Sequence, residues 1–509
     1  MSKKRRAVPS SGRKGRKADR NSDRSGRNRF GMLCLMLQTL LSLAFLGVLV
    51  LLGMIPTKYL VMVGAVLFFL WTITLNTQVA RKKKGTVGKA FSMLVMIVLV
   101  VGTYYIAKTN DMISQIAGGS FKVDKMVVAV LADDPAEMLE DTVDYNFGVQ
   151  FARGGDNMQT AIVDIERELG VETIDMTECD SIQEQAQKLH DGEVDAIIYN
   201  EAYTENLEEA FENYSDNVRI IYRHDIRVEL DLGGSTSNIT KEPFTVYISG
   251  IDVYGEIEQS SRSDVNIIAV VNPQTYQILL VTTPRDYYVE IPGVSEGMSD
   301  KLTHAGIYGI DASMRTLGEL YETDINYYVR VNFTSMIDIV DALGGVDVNS
   351  EYEFTTSKNS GLVMDVEQGM NHFNGEEALA FSRERKNLED GDNQRGKNQQ
   401  AVITAMLQKV LSPTMLLKAN SIMNEVSEGV DTNISQSQIN ALIRYQLSTN
   451  AKWSIQSVSA TGTPSREYCY SATDPLYVTI PDDMNVQEII DTVNIVEEGR
   501  TLEEAEQLN

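Results

Sequence analysis

Residues 261–293 read SRSDVNIIAVVNPQTYQILLVTTPRDYYVEIPG. Two apolar runs, 265–271 and 278–281, are short, rich in β-branched residues, and followed by Pro273 and Pro284. Such runs predict strands buried on both faces. The residues able to do chemistry sit at their ends. Arg262 and Asp264 come just before the first strand, and Arg285 and Asp286 just after the second. Upstream, FTVYISGID (Phe244–Asp252) predicts a third strand running into a loop at Gly250 and Asp252. Ligand sites in open α/β sheets are built from such positions. Asp252 and Asp264, two separated carboxylates near arginines, suggest a hard divalent cation such as magnesium bridging to phosphate oxygens. Taken singly, each carboxylate also reads as a turn residue or helix N-cap.

A second stretch, FNGEEALAFSRERKNLEDGDNQRGKNQQ (Phe373–Gln400), adds cationic groups. Arg383 and Arg385 alternate, so an extended backbone would point both to one side. Arg395 and Gln399 are four apart and share a face if a helix begins near Asp392 or Asn393. That helix would run on through Ala401, Val402, Ala405, Met406 and Val410 as an amphipathic pattern. Guanidiniums converging on a helix start suit a phosphate or pyrophosphate, because forked donors and the helix N-terminus both favour anions. The competing reading is a salt-bridged surface, since Glu384, Glu389, Asp390 and Asp392 are close in sequence.

Around these stretches, strand and helix patterns alternate. YYVRVNFTSMIDIVDALGGVDV reads as strand, helix and a Gly344–Gly345 stop before another strand. WSIQSVSA and LYVTIP are late strands, and an acidic, helical tail follows from Val486. Such alternation implies an α/β or α+β sandwich over a central sheet.

The N-terminal part differs in kind. Residues 1–29 hold twelve Lys/Arg against Asp19 and Asp23, and read as a disordered basic arm. Three apolar runs follow (30–55, 59–79 and 90–107), free of acidic residues and near the ~20 residues a spanning helix needs. With basic residues in the arm and in the Arg81–Lys89 loop, the positive-inside rule puts the N-terminus in the cytoplasm. Everything after Lys108 then lies outside. The net charge of −26 over 509 residues is therefore concentrated in the outer part, which argues against a nucleic-acid footprint there. Cys34, Cys179 and Cys469 show no disulfide framework, and the four histidines show no zinc-ligand spacing.

Residues 122–230 predict a small α/β module. DKMVVAVLA, VDAIIYN and VRIIYRH read as strands, and MQTAIVDIERELG as a helix stopped by Gly170. It reads as an accessory module, and residues 231–243 have linker composition.

RSDVNIIAVVNP, TTPRDYYV, KLTHAGIYG, VNF, DALGGVDV and FNGEEALAFSRERK…GDNQRGKNQQ, in this order, resemble the LytR-CpsA-Psr family of bacterial envelope proteins over about residues 243–485. Three spans and the intervening module resemble its capsule-associated CpsA type. The resemblance implies an α/β fold, an α-β-α sandwich catalytic domain (residues 244–485) around a mixed sheet, with a C-terminal tail at 486–509. It implies a magnesium-dependent phosphotransferase outside the cell. That enzyme would move a glycopolymer, capsular polysaccharide or teichoic acid, from a polyprenyl-pyrophosphate carrier to peptidoglycan, beside membrane lipid and other capsule-assembly membrane proteins. Asp252 and Asp264 resemble its magnesium-linked aspartates. Arg262, Arg285, Arg383, Arg385 and Arg395 resemble its pyrophosphate-binding arginines, with Gln399 as polar partner and Asp286 and Asp392 as orienting groups. Asn398 stands where many relatives carry a further arginine. His304 is a candidate general base that also reads as structural. Two alternatives remain open on sequence: a lipid pyrophosphatase using the same residues, and a non-enzymatic regulator acting through the basic arm.

Overall fold

The computed structural model describes residues 17–79, 86–116, 121–152, 155–230, 232, 238–251, 257, 260–388, 391–416, 422 and 429–501. It forms two compact units, residues 1–111 with 443–448, and residues 112–442 with 449–509.

The first unit is built on three helices, α1 (Lys17–Leu52), α2 (Thr57–Val79) and α3 (Thr86–Ile116). Each contains a window of 21 to 23 residues apolar enough to cross a membrane, close to the ~30 Å of a bilayer core. Side-chain hydrogen bonds link the helices. Trp71 Nε1 donates to Thr39 Oγ1 at 2.9 Å, and Ser92 Oγ donates to Gln38 Oε1 at 2.8 Å. The basic stretch 17–29, expected to be disordered, instead forms the first turns of α1. Arg and Lys are good helix formers, and extending an existing helix avoids the cost of a new nucleus. Residues 1–16 and 80–85 of the expected cytoplasmic segments lie outside the described residues.

Among its described residues the second unit holds two large sheets and four two-stranded ones. The accessory module has strands β1 (Phe121–Leu131), β2 (Asn146–Val149), β3 (Asp175–Glu178), β4 (Ala196–Asn200) and β5 (Val218–Glu229), in the order β3-β2-β4-β1-β5. Helices α4 (Gly155–Leu169) and α5 (Ile182–His190) contribute to separate apolar clusters, Ile162 and Ile165 to one and Ala186 and Leu189 to the other. A shorter helix, α6 (Thr204–Ala210), follows β4.

The larger sheet contains β6 (Phe244–Ile251), β7 (Val265–Asn272), β8 (Gln277–Thr283), β9 (Tyr327–Asn332), β10 (Val430–Thr432) and β11 (Ser454–Ser459). Their order is β10-β9-β6-β7-β8-β11. β9 runs parallel to β6 and β11 parallel to β8, while the β6–β7 and β7–β8 pairs are antiparallel. The sheet is therefore mixed. Period-two alternation separates its faces. Ile268, Val270, Leu279 and Val281 enter one apolar cluster; Ile267, Ala269, Ile278 and Leu280 enter another.

The first face is covered by α8 (Ile310–Leu320) and by the C-terminal helix α12 (Asp483–Glu497), whose Ile489, Ile490, Val493 and Val496 join the core. The segment 486–497 is thus the last layer of the sandwich rather than a tail. Its acidic residues occupy the solvent side of an amphipathic helix. The second face carries α11 (Asp392–Val410) through Ile403 and Leu407.

The two modules are joined by buried polar contacts. Asp124 on β1 is fully buried and accepts from Ser260 Oγ at 2.7 Å and Asn157 Nδ2 at 2.8 Å, with Lys122 Nζ 3.0 Å away. Lys122 also donates to the Tyr308 carbonyl at the end of α7 (Leu302–Tyr308). α7 lies so close to the Arg262 loop that a Cβ on Gly306 would fall 2.5 Å from the Ser261 carbonyl oxygen. Gly306→Ala should therefore cost about 1–3 kcal/mol of stability through overpacking, read as a lowered urea midpoint; an unchanged midpoint would refute this close packing.

Candidate active site

A cavity of about 590 Å³ lies between the second face of the large sheet and α11. Strand interiors and later helix turns make its walls apolar, with Val246, Ala269, Ile278, Ile403, Leu407 and Val410 among them. Its polar lining comes from the strand ends and the start of α11: Asp264, Arg285, Arg395 and Gln399. Arg383, Arg385 and Lys386 add further cationic groups to that lining. The cavity is thus amphipathic, with an apolar body and, among the described residues, five cationic side chains and one carboxylate in its lining.

Arg285 Nη1 donates to Asp264 Oδ1 at 2.9 Å. Burial works to raise the Asp264 pKa, but the charges of Arg285, Arg262 and Arg395 outweigh it and hold the carboxyl below its ordinary range. Asp264 is therefore an anion at neutral pH. Asp286 bridges Arg285 Nε (3.7 Å) and Lys301 Nζ (3.3 Å), so it orients both cations.

The two alternating arginines reach the cavity by a route the sequence pattern only half describes. α10 (Gly375–Arg383) begins at Asn374, whose side chain accepts from the Glu377 N–H, and ends with Arg383 as its last residue. The backbone becomes extended only at Glu384. Glu384 then turns inward and is fully buried. It accepts from the backbone N–H groups of Ser357, Arg385 (3.0 Å) and Asn387 (3.1 Å), and from Ser360 Oγ at 2.9 Å. Arg383 and Arg385, on either side of this buried anchor, both face the cavity. The Arg383 guanidinium also stacks over the ring of Phe333, the first residue of α9 (Phe333–Ala342), 4.2 Å from its centroid. The expected surface salt bridge involving Glu384 is thus replaced by a buried anchor.

α11 starts at Asp392, as the spacing predicts, and sets Arg395 and Gln399 on the cavity side. Asn398 faces elsewhere. It is buried, its Nδ2 donating to the Phe381 carbonyl at 3.3 Å, so this position packs α11 against α10.

One expectation is corrected: Arg262 does not line the cavity. Its guanidinium is held by Glu205 and Glu209 of α6 in the accessory module, and it acts on Asp264 only through its charge. The physical reason is competition: two nearby carboxylates, more than 50 residues away in sequence, draw the side chain off. His304 is also outside the cavity lining and fully buried. Its Nδ1 lies 2.6 Å from Asp300 and 2.8 Å from Ser471 Oγ, so carboxylate and hydroxyl share one ring nitrogen and form no relay. Asp252 lies outside the described residues, as does the Asp392 side chain. Sequence reasoning missed Ser357, Asn359 and Lys386 in the lining. Lys386 could have been found from its place in the RERK run. Ser357 and Asn359 had no signal, because only the Glu384 anchor brings their loop here.

For Glu384, burial works to raise the pKa, but the backbone donors of Ser357 and Asn387 and the Ser357 and Ser360 side chains bring it down to about 2. A folded value below the ordinary one means that this stabilisation is complete above about pH 5 and fades as pH falls towards 2. Glu384→Gln should lower the unfolding free energy by about 1.5–3 kcal/mol at pH 7 and by progressively less below pH 4. Equal losses at pH 7 and pH 3 would rule out the charge as the cause.

A family model described as the LytR_cpsA_psr family matches residues 208–493. The polyisoprenyl-teichoic acid–peptidoglycan teichoic acid transferase TagU of Bacillus mycoides is 37% identical over 209 residues, which is 41% of this chain and 66% of that protein. Its namesake from Enterococcus faecalis is 38% identical over 198 residues, 38% of this chain and 63% of that protein. The chain therefore spans just under two thirds of the length of these relatives. The crystal structure of B. subtilis TagV is 28% identical with a TM-score of 0.44, covering 51% of this chain and 99% of that one. With more than half of its length matched by the family model, the chain belongs to the LytR_cpsA_psr family.

Proposed function

We propose that this protein is a membrane-anchored phosphotransferase. It moves a glycopolymer, teichoic acid or capsular polysaccharide, from a polyprenyl-pyrophosphate carrier to peptidoglycan, with the unit carrying the cavity on the outer side of the membrane. The observation that carries the reading is the amphipathic cavity. An isoprenoid tail fits apolar walls such as Val246, Ile278, Ile403 and Leu407, and a diphosphate fits Arg285, Arg383, Arg385, Lys386 and Arg395. The names of the TagU relatives fit the same substrate class.

In the reaction, an acceptor hydroxyl oxygen attacks the sugar-linked phosphorus. The bridging P–O bond breaks, polyprenyl monophosphate leaves, and the hydroxyl proton passes to solvent. A diester diphosphate resists attack because its oxygens are anionic. Guanidiniums fixed in advance neutralise that charge and the charge growing on the leaving phosphate. Arg285 is held ready by Asp264 and Asp286, and Arg383 and Arg385 by the Glu384 anchor. Gln399 offers a neutral donor beside them.

Magnesium suits this donor set. The ion commonly takes one or two carboxylates together with substrate phosphate oxygens, and Asp264 presents an ionised carboxylate in the cavity. Asp264, with Asp252, would hold the ion, which would supply further charge neutralisation at the phosphates.

The test uses the full chain in liposomes with magnesium, a lipid-linked glycan and peptidoglycan oligomers, and weighs the products. Covalent glycan–peptidoglycan adducts are expected. Free glycan phosphate alone would identify a hydrolase, and no turnover would overturn the reading. Arg285→Ala should lower turnover about 10²–10³-fold and also lower the unfolding midpoint, because Asp264 and Asp286 lose their partner; retained turnover in the folded variant would remove Arg285 from the machinery.

A further inference from the structure

The accessory module also meets the groups around the cavity through charge. Glu205 and Glu209 are four residues apart and so share one face of α6. Both carboxylates hold the Arg262 guanidinium. Glu209 does more, because its two oxygens face different cations. Its Oε1 accepts from Arg262 Nη1, and its Oε2 lies 3.7 Å from Lys301 Nζ. Among the described residues, Glu205 pairs with Arg262 alone.

Lys301 stands just before α7 and carries the contact onward. Its Nζ is 3.3 Å from Asp286 Oδ1, and Asp286 Oδ2 is 3.7 Å from Arg285 Nε. Arg285 Nη1 in turn donates to Asp264 Oδ1 in the cavity. Arg262, Glu209, Lys301, Asp286, Arg285 and Asp264 thus form a row of alternating sign. Side-chain exposure is 9% at Lys301, 12% at Asp286 and 23% at Arg285, rising to 38% at Glu209. Water screens the middle of such a row poorly, so a change of charge at one end is felt further along it. Burial works to raise the Glu209 pKa, but the charges of Arg262 and Lys301 outweigh it and hold the carboxyl below its ordinary range. Glu209 therefore enters the row as an anion at neutral pH.

Asp286 is where the row is balanced, with one oxygen turned to Lys301 and the other to Arg285. While Glu209 is charged, the Lys301 ammonium is shared between two carboxylates, and Asp286 can steady Arg285. Without that charge, Lys301 draws Asp286 towards itself. The contact that gives way is the longer one, to Arg285. A guanidinium that must be fixed in advance to meet a diphosphate then loses part of its preorganisation.

We propose that Glu209, contributed by the accessory module, is a positioning residue for Arg285, acting through Lys301 and Asp286 on the binding of a diphosphate in the cavity. That the ligand is a diphosphate rests on the function proposed above.

The experiment titrates geranyl diphosphate into the full chain in nanodiscs by calorimetry, with empty nanodiscs as the blank. Glu209→Gln should weaken binding about fivefold, the size of a coupling within one ion-pair network. Glu205→Gln is the control, because Glu205 shares the helix face and the arginine but not Lys301. It should leave binding within about twofold. Both side chains are more than a third exposed, at 46% and 38%, so neither amide is buried by the change. In an Asp286→Asn background, Glu209→Gln should add no further loss. Equal weakening by the two glutamate variants would trace the effect to attachment of the module and overturn the proposal. Binding that Glu209→Gln leaves unchanged would overturn it too, as would a loss that persists in full once Asp286 is neutral. Transfer assays on the same protein keep the two readings apart. Saturable diphosphate binding without glycan transfer removes the transferase and leaves Glu209 to be decided by the titrations; no saturable binding removes both.

Discussion

The cationic lining of the cavity depends on one buried carboxylate. Glu384 sits between two arginines and is itself withdrawn from solvent, where backbone N–H groups of Ser357, Arg385 and Asn387 satisfy it. An ionised group in such a place is tolerated only when fully hydrogen-bonded. The same bonds fasten the turn after α10 to the 357–360 loop and leave its flanking side chains no way to go but outward. Two guanidiniums that would otherwise repel each other are thereby held on one side of the cavity. Here a local electrostatic cost is offset by geometry, as is usual where binding groups must be fixed in advance.

The sheet beneath them is a compromise between packing and access. Its first face is closed by α8 and α12 with Leu317, Ile489 and Val493 fully or nearly fully buried. Its second face is only partly covered by α11, leaving apolar side chains along an open channel. A domain of this size could have filled that channel and gained stability from it. Leaving it open makes sense only if something apolar enters, and stability is commonly given up at sites that must receive a ligand.

Much of this was legible in the sequence, for reasons that can be named. The strands at 265–272 and 277–283 are apolar on both faces, so their run length alone reveals them. Arg395 and Gln399 follow from helical spacing, and the membrane helices from hydropathy. The rest depended on contacts between distant parts of the chain. Nothing near Arg262 indicates that α6 supplies its two carboxylates, and nothing near Ser357 indicates that Glu384 captures it. The acidic composition of the C-terminal residues points to a tail, whereas the spacing of Ile489, Val493 and Val496 makes them a packed helix. In the 17–29 stretch composition points to disorder, whereas continuity with an apolar helix carries the backbone on.

The loop before β7 is fastened twice to the accessory module, at Ser260 by Asp124 and at Arg262 by α6. Asp264 follows two residues later and is tied forward to Arg285. The inserted module and the Asp264 carboxylate are consequently in mechanical series, with no slack segment between them. Any tilt of that module must either break those bonds or be transmitted to the carboxylate, which makes the insertion a lever arm on the cavity rather than a passive spacer.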